Sequence, residues 1–288
     1  MSLKLRIAHL SDLHFWKKSH NPFQFCCKRW LGNLNSWLVR RNELDTGRLE
    51  ALPEFFSQLG VNLVLIAGDL TTTGRMVEFR MARELIQQIK ERGIEVALVP
   101  GNHDHYTHLA YWQGRIYRYF PEETSDALKR RRVAPRQLRP GLWLVAMDTA
   151  LATSWISSEG SFSEAIEREL ERTLLQIPST DSVILLNHFP LFCLDHRFKK
   201  LRRDSELRLL LQRFPQVKLY LHGHTHRHSI ADLRPDRLPI VVDSGCVSLC
   251  KWGRWNLIDL TESSCTISPH AWKEGLWSGV ETVEYSWR

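Results

Sequence analysis

Leu5-Arg6-Ile7-Ala8-His9-Leu10-Ser11-Asp12-Leu13-His14 decides how the rest of the chain is read. Its mostly apolar first six residues predict a buried strand over 5–10, and that strand stops in an Asp-x-His. The same join recurs four times. The run 61–67 leads into Gly68-Asp69, and the run 95–99 into Pro100-Gly101-Asn102-His103-Asp104. The run 183–186 leads into Asn187-His188, and the run 217–221 into His222-Gly223-His224-Thr225-His226. Five predicted strands therefore end in Asp, His or Asn, usually beside a glycine that lets backbone approach closely.

Further runs at 142–147, 240–243, 256–260 and 265–268 read as strands too. Helical periodicity fills the gaps. Phe79, Ala82, Ile86 and Ile89 form one stripe, and Leu207, Leu210, Leu211 and Phe214 another. A third, Phe162, Ile166, Leu170 and Leu174, is expected to open on a capping box of Ser161 with Glu164. Alternating strands and helices predict a layered α/β fold, in which chemistry gathers at the carboxyl ends of strands.

Composition narrows the setting. With 288 residues and no visible repeat or long linker, the chain is expected to form one domain over 1–288. The Cys residues at 26, 27, 193, 246, 250 and 265 include no C-x-x-C pair, which suits a reduced, cytosolic protein without disulfides. Neither a signal peptide nor an 18-residue apolar stretch is visible, so a soluble chain is expected. A net charge of +7 favours an anionic partner: a nucleotide, a nucleic acid or an anionic lipid surface.

Oxygen and imidazole donors gathered at strand ends suit hydrolytic divalent metals. Two such ions about 3.5–4 Å apart can share one carboxylate. On an extended backbone, Asp12-x-His14 and His224-x-His226 would each place two side chains on the same side. One such motif alone is usually a turn or a satisfied polar pair; five in order at strand ends are a metal site.

This series resembles the calcineurin-like metallophosphoesterases over residues 1 to about 245. The resemblance implies a four-layer αββα sandwich and two divalent ions, Mn²⁺ by preference, with Fe²⁺ or Zn²⁺ also suited to the donors. It implies a first ion on Asp12, His14, Asp69 and His226. A second would sit on Asp69, Asn102, His188 and His224, with Asp69 bridging. His103 would stand near the leaving group, to stabilise or protonate it. One position departs from many members: Thr72 stands where an Asp often supports the catalytic His.

Three insertions leave directly from these motifs. The first, about 15–45, puts Trp30, Leu31, Leu34, Trp37 and Leu38 on one face of an amphipathic helix near the active site, flanked by Arg29, Arg40 and Arg41. Such a face covers an acyl chain or lies on a membrane; the plainer alternative is packing on the core. A second, about 105–135, carries Arg115, and a third, about 191–205, carries Lys199 and Arg202. These side chains are candidate substrate contacts or simply a solvated basic face. The run 129–132 reads as surface.

Ser11-Asp12-Leu13-His14-Phe15, the stretch 28–35 and the three Thr after Leu70 resemble one subgroup, the calcineurin-like UDP-2,3-diacylglucosamine pyrophosphatases of lipid A synthesis. That resemblance implies cleavage of a lipid-linked UDP-sugar to UMP and 2,3-diacylglucosamine 1-phosphate. It places the enzyme peripherally on the inner face of the cytoplasmic membrane, with no nucleic-acid partner. The competing readings are a cyclic-nucleotide phosphodiesterase, a basic nuclease and a scaffold without catalysis.

Overall fold

The computed structural model describes residues 5–17, 44–152, 158–192 and 200–286, and the structural statements below concern these. The chain enters on β1 (Leu5–Leu10). Then come α1 (Leu52–Gln58), β2 (Leu63–Ile66), α2 (Met76–Lys90) and β3 (Glu95–Leu98). Short helices follow: α3 (His108–Trp112), α4 (Arg115–Tyr119), α5 (Pro121–Thr124) and α6 (Asp126–Arg131). A second run comprises β4 (Val133–Arg139), β5 (Leu142–Met147), β6 (Gly160–Ser161), α7 (Glu164–Gln176) and β7 (Ser182–Leu186). It continues through β8 (Leu201–Arg202), α8 (Asp204–Leu211), β9 (Val217–His222), β10 (His228–Asp232) and β11 (Ile240–Ser244). The last elements are β12 (Arg254–Leu260), β13 (Ser264–Lys273), β14 (Leu276–Gly279) and β15 (Val283–Ser286).

Two main sheets result. One has the order β14-β13-β12-β1-β2-β3, with β15 also on β13; the other has the order β10-β11-β9-β7-β5-β4. Within the first, β1, β2 and β3 are parallel; within the second, β5, β7, β9 and β11 are.

Side-chain alternation decides the layering. Leu144, Ala146, Ile184, Leu186, Leu219 and Leu221 share one buried cluster with Ile7, Val64 and Ile66 of the first sheet. Val145, Met147, Val183, Leu185 and Tyr220 turn the other way, onto Ile166, Leu170 and Leu174 of α7 and Leu207, Leu210 and Leu211 of α8. Phe56 of α1 and Phe79, Ala82, Ile86 and Ile89 of α2 are buried in the same cluster, which takes in both faces of β2, Leu63 and Leu65 as well as Val64 and Ile66. Helix, sheet, sheet, helix is the layer order these faces require.

The start of α7 differs from expectation. Ser163, not Ser161, caps it: Ser163 Oγ accepts from the Ile166 amide at 3.4 Å, and Glu164 is the first helical residue. The hydrophobic stripe was read correctly, but Phe162 belongs to the segment before the helix, where it is still fully buried.

Candidate metal centre

Each parallel strand ends at the same edge, and the sequence motifs lie just beyond. After β1 come Asp12 and His14; after β2, Asp69; after β3, Asn102 and His103; after β7, His188; after β9, His224 and His226. The Asp-x-His and His-x-His segments are not extended. Asp12, His14, Asp69, His224 and His226 all have positive φ, between 48° and 72°. Non-glycine residues rarely hold this conformation, and its cost is typical of functional sites. The chain turns sharply at each motif, so the paired side chains converge through backbone turns and not through strand alternation.

Glycine permits this crowding. A Cβ on Gly101 would run into the Asp69 carboxylate, and one on Gly223 into Ser11 and Asp12. Backbone hydrogen bonds stitch the turns together. Asp12 N donates to Gly68 O at 3.0 Å, His14 N to Asp69 O at 3.0 Å, and Gly223 N to His188 O at 3.1 Å.

The donor atoms face one another across very short gaps. His14 Nε2 lies 3.0 Å from His226 Nε2, and His188 Nε2 lies 3.2 Å from both His224 Nδ1 and Asn102 Oδ1. Asp12 Oδ1 is 3.1 Å from His226 Nε2 and 3.4 Å from His14 Nε2, while Asp69 Oδ2 is 3.4 Å from His188 Nε2. His188 Nδ1 donates to Ala67 O at 2.6 Å, which leaves Nε2 as a lone pair when the ring is neutral. Asp12 Oδ2 accepts from Ser11 Oγ and the His224 amide, while Oδ1, fully buried, faces the His14 and His226 rings.

Electrostatics tell the same story. Burial opposes ionisation of Asp12, but His226 and His14 beside it hold its pKa well below the usual carboxylate range. Asp69 is likewise held low against its burial, by His188 and His103. Burial would lower His188, but the Asp69 charge outweighs it and raises the imidazole to about 9. His14 and His224 are pushed down by burial, so their rings stay neutral. Two ionised carboxylates and a His188 drawn towards its charged form are buried together with the neutral rings of His14 and His224, and that concentration of negative charge calls for a cation. Asp69 with His188 and His224, and Asp69 again with His14 and His103, each bring donor atoms within 4.8 Å of one another. This donor set would suit two metal ions, with Asp69 the residue common to both groups.

His103 is oriented without the carboxylate that Thr72 lacks. Its Nδ1 donates to the Thr72 carbonyl at 2.7 Å, so backbone at the departing position does the orienting. Its amide donates to Asp69 Oδ1 at 2.8 Å, and its ring stacks on Tyr106.

Other sequence candidates fall elsewhere. Arg115 Nη1 donates to Gly74 O at 3.0 Å and its Nε to Gln113 Oε1, so it braces the turn beside His103. Arg202 is exposed and lies 3.4 Å from Glu159. Trp30, Leu31, Leu34, Trp37, Leu38 and Lys199 lie outside the described residues. Cys246, Cys250 and Cys265 are free thiols; Cys26, Cys27 and Cys193 also lie outside.

Several buried residues escaped the sequence reading. Asp104 accepts from the amides of Leu70, Thr71 and Gly101 and from Thr71 Oγ1, tying the Asp69 turn to the His103 turn. Asp243 accepts from Thr225 Oγ1 at 2.5 Å and from Gly245 N at 2.9 Å. Cys246 Sγ and Ser248 Oγ each donate to Asp12 O at 3.1 Å. Asp148 accepts from Tyr117 Oη and from Arg132 Nη1. The run 129–132 is therefore not all surface: Arg132 turns inward to a fully buried carboxylate. The signal was available, because Asp148 and Asp243 also stand at the ends of predicted strands.

A two-sheet α/β sandwich carrying Asp, Asn and His donors at its strand ends defines a metal-dependent phosphoesterase. Residues 5–228 match the family model "Calcineurin-like phosphoesterase", and the chain belongs to that family. It is 26% identical to the 3',5'-cyclic adenosine monophosphate phosphodiesterase CpdA of Escherichia coli (strain K12), over 85% of this chain and 77% of that protein. It is 24% identical to the 3',5'-cyclic-nucleotide phosphodiesterase alr5338 of Nostoc sp., over 78% of this chain and 73% of that one. In fold it is similar to a dimetal phosphatase from Danio rerio, with a TM-score of 0.72 at 13% identity and 99% of each chain covered.

Proposed function

We propose that the protein hydrolyses a phosphodiester or pyrophosphate bond with two divalent ions held by Asp12, His14, Asp69, Asn102, His188, His224 and His226. The observation that carries this is the convergence of imidazole nitrogens on two buried, ionised carboxylates. Mn²⁺ is the proposed metal, Fe²⁺ and Zn²⁺ being compatible with the same donors. When bound, the ions supply Lewis acidity towards phosphoryl oxygens and an acidified water near neutral pH.

The chain's own groups do the rest. Asp69 fixes the separation of the two donor sets. His103 keeps Nδ1–H on the Thr72 carbonyl, so its imidazolium form is the one that holds a second proton, on Nε2, to pass to the departing oxygen as the P–O bond breaks, leaving the neutral ring.

For the substrate, the reading is the pyrophosphate bond of UDP-2,3-diacylglucosamine, met at an anionic membrane surface. The basic and apolar insertion at about 15–45 and the backbone-oriented His103 support it. No helix among the described residues is long and apolar enough to cross a membrane, in keeping with a peripheral contact. A second reading, a cyclic-nucleotide phosphodiesterase, is favoured by what the two named relatives act on.

One experiment separates them. Mn²⁺-loaded protein is assayed side by side on UDP-2,3-diacylglucosamine, cyclic AMP, single-stranded DNA and an aryl phosphate. The highest kcat/KM on the diacylated UDP-sugar is expected. A higher value on cyclic AMP moves the substrate to the second reading. No turnover of any substrate with Mn²⁺, Fe²⁺ or Zn²⁺ overturns the hydrolase.

A further inference from the structure

We propose that Glu78 is a positioning residue for His103, acting through the peptide unit that joins Thr72 to Thr73. The carbonyl of that unit takes the His103 ring: His103 Nδ1 donates to Thr72 O at 2.7 Å. Its amide takes the carboxylate: Thr73 N donates to Glu78 Oε2 at 2.9 Å. A peptide unit is planar, so fixing the direction of its N–H fixes the direction of its C=O. The bond at the amide also polarises the unit and makes the carbonyl a stronger acceptor. His103 is thereby held by a carboxylate at one peptide's remove.

Glutamate at the third position of a helix has an ordinary use, which is to accept from the amide of the capping residue. Glu78 does this for α2, with Arg75 N donating to Oε2 at 3.2 Å. Two features go beyond a cap. Both carboxylate oxygens are engaged two residues further back, Oε2 by the Thr73 amide and Oε1 by Thr73 Oγ1 at 2.8 Å. The side chain is also fully buried, a costly place for a carboxylate that a surface cap does not need.

Neighbouring groups hold the turn on either side of this peptide. Thr72 N donates to Phe15 O at 3.0 Å, and Thr72 Oγ1 to His14 O at 2.8 Å. Arg115 Nη1 donates to Gly74 O at 3.0 Å. Gly74, at φ 63°, lets the turn lie against the backbone of His103 and Asp104. Losing the Glu78 carboxylate therefore leaves the turn anchored and loosens the peptide that carries the ring. A displacement of about 1 Å can cost a reacting group roughly 10²-fold in rate. This rests on the proposed role of His103 as the acid for the departing oxygen.

The test compares two diesters of similar shape in Mn²⁺-loaded protein. The leaving group of bis(p-nitrophenyl) phosphate departs without a proton, whereas diphenyl phosphate releases a phenolate whose parent pKa is about 10, and gains from an acid. Glu78→Ala should lower kcat on diphenyl phosphate about tenfold, the loss of one hydrogen bond to a charged group, with KM and the nitrophenyl rate little changed. Glu78→Gln keeps an oxygen for the two amides and a nitrogen for Thr73 Oγ1, so it should recover most of the lost rate. In a His103→Ala background, Glu78→Ala should slow the reaction no further. Equal losses on both esters, a loss that persists without His103, or no loss on either would make Glu78 an ordinary cap. Should Glu78→Ala fail to fold by thermal melt, Glu78→Asp, a methylene shorter and so drawn back from Thr73, replaces it. A second readout needs no turnover. In Zn²⁺-loaded protein with ¹⁵N-labelled histidine, the His103 Nδ1–H resonance should be sharp in wild type and broaden by exchange with water in the variant. An unchanged resonance overturns the proposal. Should wild type not turn over diphenyl phosphate, the resonance decides alone, and failure on both esters counts against the proposed function.

Discussion

Asp69 is the residue on which the two donor sets meet. One carboxylate oxygen accepts from the His103 amide and the other faces His188, and these two histidines keep it ionised against its burial. Asn in its place keeps the shape and loses the charge, so Asp69→Asn is expected to lose most bound metal and nearly all turnover. Metal analysis of the purified variant beside its rate checks this; two retained ions with normal turnover would contradict it. His103 stands differently, since its ring hangs on the Thr72 carbonyl and stacks on Tyr106. His103→Ala should keep its metal and turn over roughly 10²–10⁴-fold more slowly, the usual worth of a positioned acid. Lost metal would make it a ligand instead. At this scale the sequence was informative, because ligand types are set by chemistry and their spacing by strand ends. It was silent on the support of His103, since a backbone carbonyl leaves no trace in residue identity.

At the scale of elements, the site is a set of strand-end turns, five of whose ligands hold positive φ. Something must pay for that strain, and the turn after β11 is one source. Asp243 takes the Thr225 hydroxyl between His224 and His226, while Cys246 and Ser248 hold the Asp12 carbonyl. Thr225→Val keeps the side-chain volume and removes the hydroxyl. It is expected to weaken metal affinity about 10–100-fold, as lost outer hydrogen bonds do, with little change in melting temperature for the chelated protein. A competitive metal titration measures it, and unchanged affinity would make the clamp idle. Strands and helical stripes were legible here because periodicity reports burial. The turns were not: an Asp-x-His read as extended looks the same in sequence as one bent through left-handed residues. Asp148 shows a further limit. Its partner Arg132 lies in a basic run that composition assigns to the surface. Burial opposes its charge, but Arg132 holds its pKa down at about 2, against an ordinary 3.8. A depressed carboxylate stabilises the fold above its unfolded pKa and ceases to as pH falls through the folded one. Asp148→Asn should therefore melt well below wild type at pH 7, and the gap should narrow between about pH 4 and pH 2. A constant gap across that window would mean the charge is not the source.

Across the whole molecule, two sheets and their helices place the donor residues at one edge, and the insertions that leave from its turns are the proposed seat of specificity. Alternating strands and helices made a layered α/β fold legible and the family resemblance implied the sandwich, which the structure realises by sending Val183 and Leu185 one way and Ile184 and Leu186 the other. Substrate choice was less so, because aromatic and basic residues serve packing, lipid and nucleotide equally well. The insertion at about 15–45 leaves the described structure at Lys17, whose carbonyl accepts from Arg75 at 2.5 Å, and re-enters at Leu44, bridged to Leu249. Both points flank turns that carry or buttress the donors. If the insertion serves acyl chains, replacing Trp30, Leu34 and Leu38 with Ser removes apolar area that would cover them, at about 0.8 kcal/mol per buried methylene. Cleavage of the diacylated UDP-sugar should then fall by at least about tenfold, since two methylenes already exceed the 1.4 kcal/mol of that factor. A small diester such as bis(p-nitrophenyl) phosphate needs only the metal centre, so its kcat/KM should fall far less. The ratio of the two changes is the measurement, with a thermal melt to check folding. Equal losses would show these side chains to be ordinary core, and no loss on either substrate would leave the lipid reading without its main physical support.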